Sequence, residues 1–131
     1  MNFEYLNVTT QNAIVTVTID RQDKLNALSV AVLNELKSFL QPLITNDDGR
    51  GLIVTGAGEK AFVAGADIKE QGAMTPDEGE RFGALGQEVT SLVEQRPFPG
   101  MAAGNGYARG GGCEVAMGGD FIYATTNARF G

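Results

Sequence analysis

The glycine-rich stretch at residues 104–120 carries the residue types best suited to chemistry. It holds seven of the chain's eighteen glycines and places a carboxylate, Glu114, shortly after the triplet at 110–112. Glycine is favoured where a backbone needs positive φ angles or must approach another group closely. The residues after the triplet predict a short helix, and amides at a helix start can bind an anion or a developing oxyanion. With a carboxylate within one turn, this pattern is typical of a catalytic loop.

A second loop of small residues, 64–67, can act together with the first. Each loop follows a predicted strand, and open α/β sheets bind ligands at the carboxyl ends of their strands. One backbone N–H from 64–67 and one from 110–112 would form an oxyanion hole if they converge. The alternative is tight packing of strand against helix, which small residues also serve.

Composition excludes several other kinds of site. The chain has no histidine, which removes Ser-His-Asp and Cys-His nucleophiles, histidine-ligated metals and imidazole acid–base chemistry. A net charge of −6 without a basic stripe argues against a nucleic-acid partner. We expect no metal. We expect no membrane span, because no apolar run approaches about 20 residues, and no signal peptide, because the N-terminus has no charged region followed by an apolar stretch. The single cysteine rules out an internal disulfide and fits the cytoplasm.

Other motifs have simpler interpretations. The G-x-G-x-x-G dinucleotide fingerprint fails because Arg109 stands where the third glycine belongs. The loop at 56–60 lacks the spacing of a Walker A motif, and 46–49 is a turn rather than a calcium loop. Taken alone, Glu114 is a favourable charge at a helix start, and Cys113 is a small buried residue. Asp67 and Glu70, like Asp77 and Glu78, are interpreted as charges at helix N-termini.

The patterning predicts alternating strands and helices. Predicted strands span 3–9, 13–20, 51–55, 98–103 and 121–124, the first two forming a hairpin through Gln11 and Asn12. Ser29 caps a helix over 30–45 that Pro42 should kink or end. Thr75 and Glu78 form a capping box for a helix that stops before Pro97, and a third helix spans 111–118. We therefore expect a single α/β domain over residues 1–131, with a second small-residue loop at 61–70.

Four stretches together resemble one known family. They read DRQDKLNAL at 20–28, FVAGADIKE at 62–70, NGYA at 105–108 with GGGCE at 110–114, and DFIYA at 120–124 with NARFG at 127–131. In this order and spacing they resemble the enoyl-CoA hydratase (crotonase) family over essentially the whole chain. The resemblance implies a spiral of ββα units that acts, as a lyase of fatty acid metabolism, on coenzyme A thioesters.

The resemblance also implies roles for individual residues. The N–H groups of Ala66 and Gly111 would form the oxyanion hole, and Glu114 would be the first of two glutamates that activate the water added across the 2,3 double bond. The residues along the pocket for coenzyme A would be Lys24, Ala27, Ala64, Asp67 and Ile68. No separate cofactor is expected, since coenzyme A is part of the substrate.

The sequence also departs from the family pattern. The family's second glutamate lies about twenty residues beyond the first, whereas the sequence given ends seventeen residues after Glu114. The resemblance therefore implies an N-terminal fragment without the C-terminal helices that build trimers or hexamers. Gly100, Gly104 and Arg109 replace apolar residues, which favours adaptation or engineering for life without those helices. Restoring valine at Gly100 and leucine at Arg109 should then lower solubility.

Two functions remain open from the sequence. The first is an enoyl-CoA hydratase, and the second is a non-catalytic folding unit that at most binds coenzyme A weakly. Because the second catalytic glutamate is missing, we expect hydratase activity near background. Exposed strand edges also favour self-association, as a dimer or by exchange of terminal elements.

Overall fold

A computed structural model describes residues 2–45 and 49–131. Residues 46–48 of the predicted turn at 46–49 lie outside the described residues. The strands of the described part are β1 (Leu6–Gln11), β2 (Ile14–Ile19), β3 (Gly51–Gly56), β4 (Ala61–Val63), β5 (Gly100–Gly104), β6 (Tyr107–Ala108), β7 (Phe121–Ala124) and β8 (Arg129–Phe130). Its α-helices are α1 (Val30–Ile44), α2 (Ile68–Gly72), α3 (Pro76–Glu94) and α4 (Gly111–Met117), and a 3₁₀ turn spans Gln22–Lys24.

The strands form two sheets, and the chain adds strands to them in alternation. The larger sheet has the order β1-β2-β3-β5-β7, in which β1 is antiparallel to β2 and the other pairs are parallel. The smaller sheet has the order β4-β6-β8, and its strands are all parallel. From β3 onward the chain visits the larger sheet, then the smaller sheet, then a helix, and repeats. Each repeat adds one strand to both sheets, which produces a spiral of ββα units.

The hairpin and two helix starts follow their local sequence signals. Asn12 and Ala13 both have positive φ, 53° and 64°. These angles are those of a two-residue hairpin turn, whose twist matches that of the flanking strands. The turn therefore lies one residue later than predicted. The Ser29 side chain accepts the Val32 N–H at 3.1 Å, and the capping box of Thr75 forms in both directions. Pro42 lies in the last turn of α1, which ends two residues later, as expected.

The apolar face of α1 packs with α3 and with the larger sheet into one core. Buried side chains recur along α1 at helical spacing, and in β3 every second residue is buried. The side chains with almost no exposed surface include Val17, Ile19, Val32, Leu33, Leu40, Leu52, Phe62, Val63 and Val89. The core thus holds the carboxyl ends of the strands, and the loops that follow them, in fixed positions.

The smaller sheet was not predicted from the sequence. Residues 61–63 were expected to be loop, but they form β4, and β6 and β8 are strands of only two residues. All three residues of β4 are buried, so the polar-apolar alternation that marks a half-buried strand is absent. Two-residue strands are too short to show any periodicity.

Gly100 has a packing role that its sequence context did not reveal. The strand predicted at 98–103 is β5, shifted to Gly100–Gly104 and paired with both β3 and β7 despite its terminal glycines. A Cβ at Gly100 would overlap the Arg96 guanidinium, whose side chain is only 3% exposed. That guanidinium is 2.6 Å from the Asp120 carboxylate and bonds to carbonyls at the ends of α3 and α4. Glycine at this position therefore makes room for a buried arginine.

Candidate active site

The loop after β4 exposes one backbone amide. Leu28 donates its N–H to the Gly65 carbonyl at 2.8 Å, and its carbonyl accepts the Asp67 N–H at 2.9 Å. These two backbone hydrogen bonds hold the loop on both sides of Ala66. Gly65 has φ 122°, a conformation that favours glycine. Within residues 2–45 and 49–131 the Ala66 N–H has no hydrogen-bond acceptor. The loop therefore fixes this amide in place without using it.

The glycine triplet exposes a second amide. Gly112 donates its N–H to the Arg109 carbonyl and Glu114 donates to the Gly110 carbonyl, whereas the Gly111 N–H finds no acceptor in the described part of the chain. A Cβ at Gly112 would overlap the Val63 carbonyl oxygen, so α4 begins pressed against β4. Only glycine allows this approach.

The two loops meet at Leu28. The backbone of Leu28 bridges to Ala66, and its Cδ1 atom lies 3.2 Å from the position of a Cβ on Gly111. Val63 and Ala108 are paired residues of β4 and β6, and the two amides follow them by the same number of residues. The two candidate oxyanion donors are thus equivalent positions on neighbouring turns of the spiral.

Both donors and the candidate base line one cavity of about 280 Å³. We call it the glutamate-lined cavity; its residues are Leu28, Leu33, Ala66, Gln71, Phe82, Gly83, Gly86, Gln87, Thr90, Gly111, Glu114 and Val115. Glu114 lies in the first turn of α4, and its exposed carboxylate makes no hydrogen bond or ion pair with the residues described. This carboxylate is therefore available to contact a small molecule in the cavity.

A neighbouring cavity of about 470 Å³ contains all five residues predicted for coenzyme A. We call it the lysine-lined cavity; its residues are Lys24, Leu25, Ala27, Ala64, Ala66, Asp67, Ile68, Lys69, Tyr107 and Arg109. Ala66 lines both cavities. A ligand that fills the two together must therefore pass the Ala66 amide.

An ion pair that the sequence did not predict holds the Ala66 loop. Arg21 Nη1 lies 2.8 Å from Asp67 Oδ2 and donates to the Ala27 carbonyl at 3.2 Å. Asp67 also caps α2 by accepting the Glu70 N–H at 3.1 Å. This backbone bond, followed by the Arg21 guanidinium, lowers the pKa of Asp67 below its usual value. Asp67 is thus ionised, and its charge is already balanced.

Two asparagines anchor the loops around the site. Asn26 is 1% exposed, and its side chain donates to the Ala57 and Ala61 carbonyls and accepts the Arg21 N–H at 2.8 Å. Asn105 donates to the same Ala61 carbonyl at 3.0 Å. Both asparagines lie within the motifs quoted above. The neighbouring sequence does not indicate that each side chain bonds to a carbonyl more than thirty residues away.

The structure corrects one sequence interpretation and extends another. Cys113 was expected to be buried, but it is half-buried, with Sγ 3.9 Å from Met117 Sδ one turn further along the exposed side of α4. Glu70 lies in the first turn of α2, as interpreted, and its carboxylate also accepts the Val30 N–H at 2.9 Å, so it caps α1 as well.

In residues 2–45 and 49–131, no three His, Cys, Asp or Glu side chains are grouped closely enough to hold a metal ion. Within the same residues, no helix combines the length and the apolar character that crossing a membrane requires.

Comparison with known proteins identifies the family. The enoyl-CoA hydratase/isomerase family model matches residues 9–131. A short-chain-enoyl-CoA hydratase of Clostridium acetobutylicum is 45% identical over 121 residues, which is 92% of this chain and 46% of the relative. A crotonyl-CoA hydratase of Syntrophomonas wolfei is 40% identical over 131 residues, which is 100% of this chain and 50% of the relative.

The fold comparison agrees. The crystal structure of an enoyl-CoA hydratase from Bacillus anthracis superimposes with a TM-score of 0.94 at 36% identity, covering 98% of this chain and 50% of that one. The chain spans about half the length of the curated relatives it matches. The expected fold, the N-terminal part of a crotonase-like α/β spiral, is confirmed. By sequence and by structure, the chain belongs to the enoyl-CoA hydratase/isomerase family.

Proposed function

We propose that this chain binds a short-chain 2-enoyl-CoA thioester and supplies the oxyanion hole and one acid–base carboxylate for its hydration. One observation carries the proposal. Two backbone amides that find no acceptor among the described residues, those of Ala66 and Gly111, line the same cavity as Glu114, whose carboxylate makes no bond with those residues. The coenzyme A part would occupy the lysine-lined cavity and the acyl part the glutamate-lined cavity. The thioester carbonyl would then lie beside Ala66, which both cavities share.

The chemistry suits a site without histidine. Glu114 takes a proton from water as the water oxygen bonds to C3, and the double-bond electrons move onto the thioester oxygen. The two amides stabilise that enolate charge, and losing one such donor costs about 3–4 kcal/mol in other enzymes. A proton delivered to C2 then completes the addition. The reaction needs a base and an acid in one place, as is usual for acid–base catalysis.

The second candidate function is a unit that binds the thioester without turning it over. It is favoured because, among the described residues, Glu114 is the sole carboxylate that lines the glutamate-lined cavity. The other long polar side chains of that cavity are the glutamines Gln71 and Gln87. A glutamine can hold water but cannot carry its proton. We therefore expect the 131-residue chain to bind the thioester with hydration close to background.

The test separates binding from turnover. Crotonyl-CoA labelled with ¹³C at the thioester carbonyl should show a downfield carbonyl shift on binding, because two hydrogen bonds polarise that bond. Glu114→Gln should retain the shift and lose any residual hydration, while Glu80→Gln, on the exposed side of α3, should change neither. Absence of binding would refute the proposal. Robust hydration that Glu114→Gln abolishes would refute the restriction to binding.

We also propose that the chain self-associates with a second copy through β7. This strand is the outer edge of the larger sheet, and all four of its residues are exposed, including Phe121 and Tyr123. It carries neither the charge nor the proline that usually protects an edge, and the complement of an open strand edge is another strand. Light scattering at high concentration should show a dimer, which Ile122→Lys should dissociate. A monomer at every concentration would contradict this.

A further inference from the structure

The lysine-lined cavity concentrates positive charge in an otherwise acidic protein. The chain carries a net charge of −6, yet Lys24, Lys69 and Arg109 all line this cavity. The carboxylate that also lines it, Asp67, is paired with Arg21 at 2.8 Å. The cavity therefore presents three cations against a carboxylate that is already neutralised. Such a surface attracts a ligand with several negative charges.

Arg109 has the geometry of a group held ready for an anion. Its guanidinium carbon lies 5.1 Å from the centre of the Tyr107 ring, and both residues line the cavity. It makes no ion pair with any residue of the described ranges 2–45 and 49–131. Stacking on an aromatic face orients a guanidinium while leaving the N–H groups at its edge free. Those groups match the oxygens of a phosphate in a two-point contact, which lysine cannot make.

We propose that Arg109 binds a phosphate group of the coenzyme A moiety and is a specificity-determining residue of this site. The inference rests on the proposed function, since it takes the thioester as the ligand. Coenzyme A offers two sources of the same chemistry, the pyrophosphate bridge and the 3′-phosphate. The apolar surface of Ala27 and Ala64 would hold the uncharged pantetheine part nearer to Ala66.

This role differs from that of a solubilising surface charge, which is the other interpretation of an exposed arginine at this position. A solubilising charge would change the concentration at which the protein aggregates and leave ligand affinity alone. A phosphate contact would change the affinity only for ligands that carry phosphate. The two interpretations therefore separate in a binding experiment.

The experiment measures by calorimetry how the full 131-residue chain binds coenzyme A, 3′-dephospho-coenzyme A and pantetheine. Arg109→Gln should weaken coenzyme A about tenfold, the usual size of a lost charge-assisted contact. Its affinity should also depend less on salt, because one screened attraction is gone. Pantetheine should bind the variant and the unsubstituted chain equally. The control Arg81→Gln removes the same charge from the exposed surface of α3 and should leave all affinities unchanged.

Each outcome has one meaning. If the substitution weakens coenzyme A but not the dephospho form, the contact is to the 3′-phosphate; if it weakens both equally, the contact is to the pyrophosphate. Equal affinity of Arg109→Gln and the unsubstituted chain for coenzyme A would overturn the inference while leaving the proposed function standing. Failure of the unsubstituted chain to bind coenzyme A would overturn the proposed function and this inference with it.

Discussion

Replacing Asp67 with asparagine should destabilise the protein by about 2 kcal/mol. Breaking a buried ion pair costs about 3–5 kcal/mol because the remaining charge is left without a partner. Here the Arg21 and Asp67 side chains are 15% and 11% exposed, and Arg21 keeps its bond to the Ala27 carbonyl, so the cost should fall below that range. Asparagine caps a helix about as well as aspartate, so α2 keeps its N-cap. Asp67→Ala loses that cap as well and should cost about 1 kcal/mol more.

Urea unfolding followed by circular dichroism measures these differences, with Arg21→Met as the companion variant. The double variant Arg21→Met with Asp67→Asn should cost about as much as either single change, since the first removes the charge that the second leaves unpaired. Additive losses would contradict the ion pair. So would a free energy of unfolding for Asp67→Asn within 0.5 kcal/mol of the original, the range of ordinary surface substitutions.

The same pair makes stability depend on pH in a defined direction. The pKa of Asp67 is lowered in the folded state by the Glu70 N–H and by Arg21. A lowered folded-state pKa contributes stability above the ordinary value of about 3.9 and loses it as the pH falls through the folded-state value. The unfolding free energies of the original chain and Asp67→Asn should therefore differ at neutral pH and converge in acid. Curves that stay parallel down to acid would contradict the assignment.

Three more substitutions test the packing. Alanine at Gly112 should destabilise the fold by about 3 kcal/mol, because its Cβ would overlap the Val63 carbonyl oxygen; an unchanged urea midpoint would refute this. Alanine at Gly79, within α3, meets no atom within 4 Å and should stabilise by about 0.5–1 kcal/mol in the same measurement, which makes it the matched control. Asparagine at Asp120 should lower the thermal midpoint by about 5 °C because it unpairs the buried Arg96 guanidinium. Equal midpoints would mean that the pair adds nothing.

Features that depend on neighbouring residues could be predicted from the sequence. The Ser29 cap and the capping box at Thr75 are short-range hydrogen bonds between residues three apart, and both form as expected. The helices α1 and α3 and the strands of the larger sheet follow from their apolar patterning to within a few residues. Local patterning was therefore enough to assign the α/β class.

Features that depend on distant residues could not be predicted in this way. Arg21 meets Asp67 across forty-six positions, and Glu70 caps a helix that begins forty residues earlier. Gly100 has the appearance of a weak strand residue until Asp120, twenty residues further on, is seen to hold the Arg96 side chain against it. Each of these contacts depends on residues that only the fold brings together. The sequence shows which residues are present, but it does not show the spacing between turns of the spiral that brings them together.

The proposed function requires two loops so far apart in the chain to serve one oxygen atom, and the spacing between turns of the spiral is compatible with that. β4 and β6 are neighbouring parallel strands, so equivalent positions on them lie about 4.8 Å apart. Two N–H donors that each bond to one oxygen at about 2.9 Å can be separated by no more than about 5.8 Å. Ala66 and Gly111 each lie three residues beyond the paired residues Val63 and Ala108, and both line the glutamate-lined cavity, so we expect their amides to keep a separation near the strand spacing. Under the proposed function, two successive ββα units would thus supply a pair of donors for one oxyanion, each unit leaving the same amide unpaired. The glycine at 112 allows the second unit to close against the first.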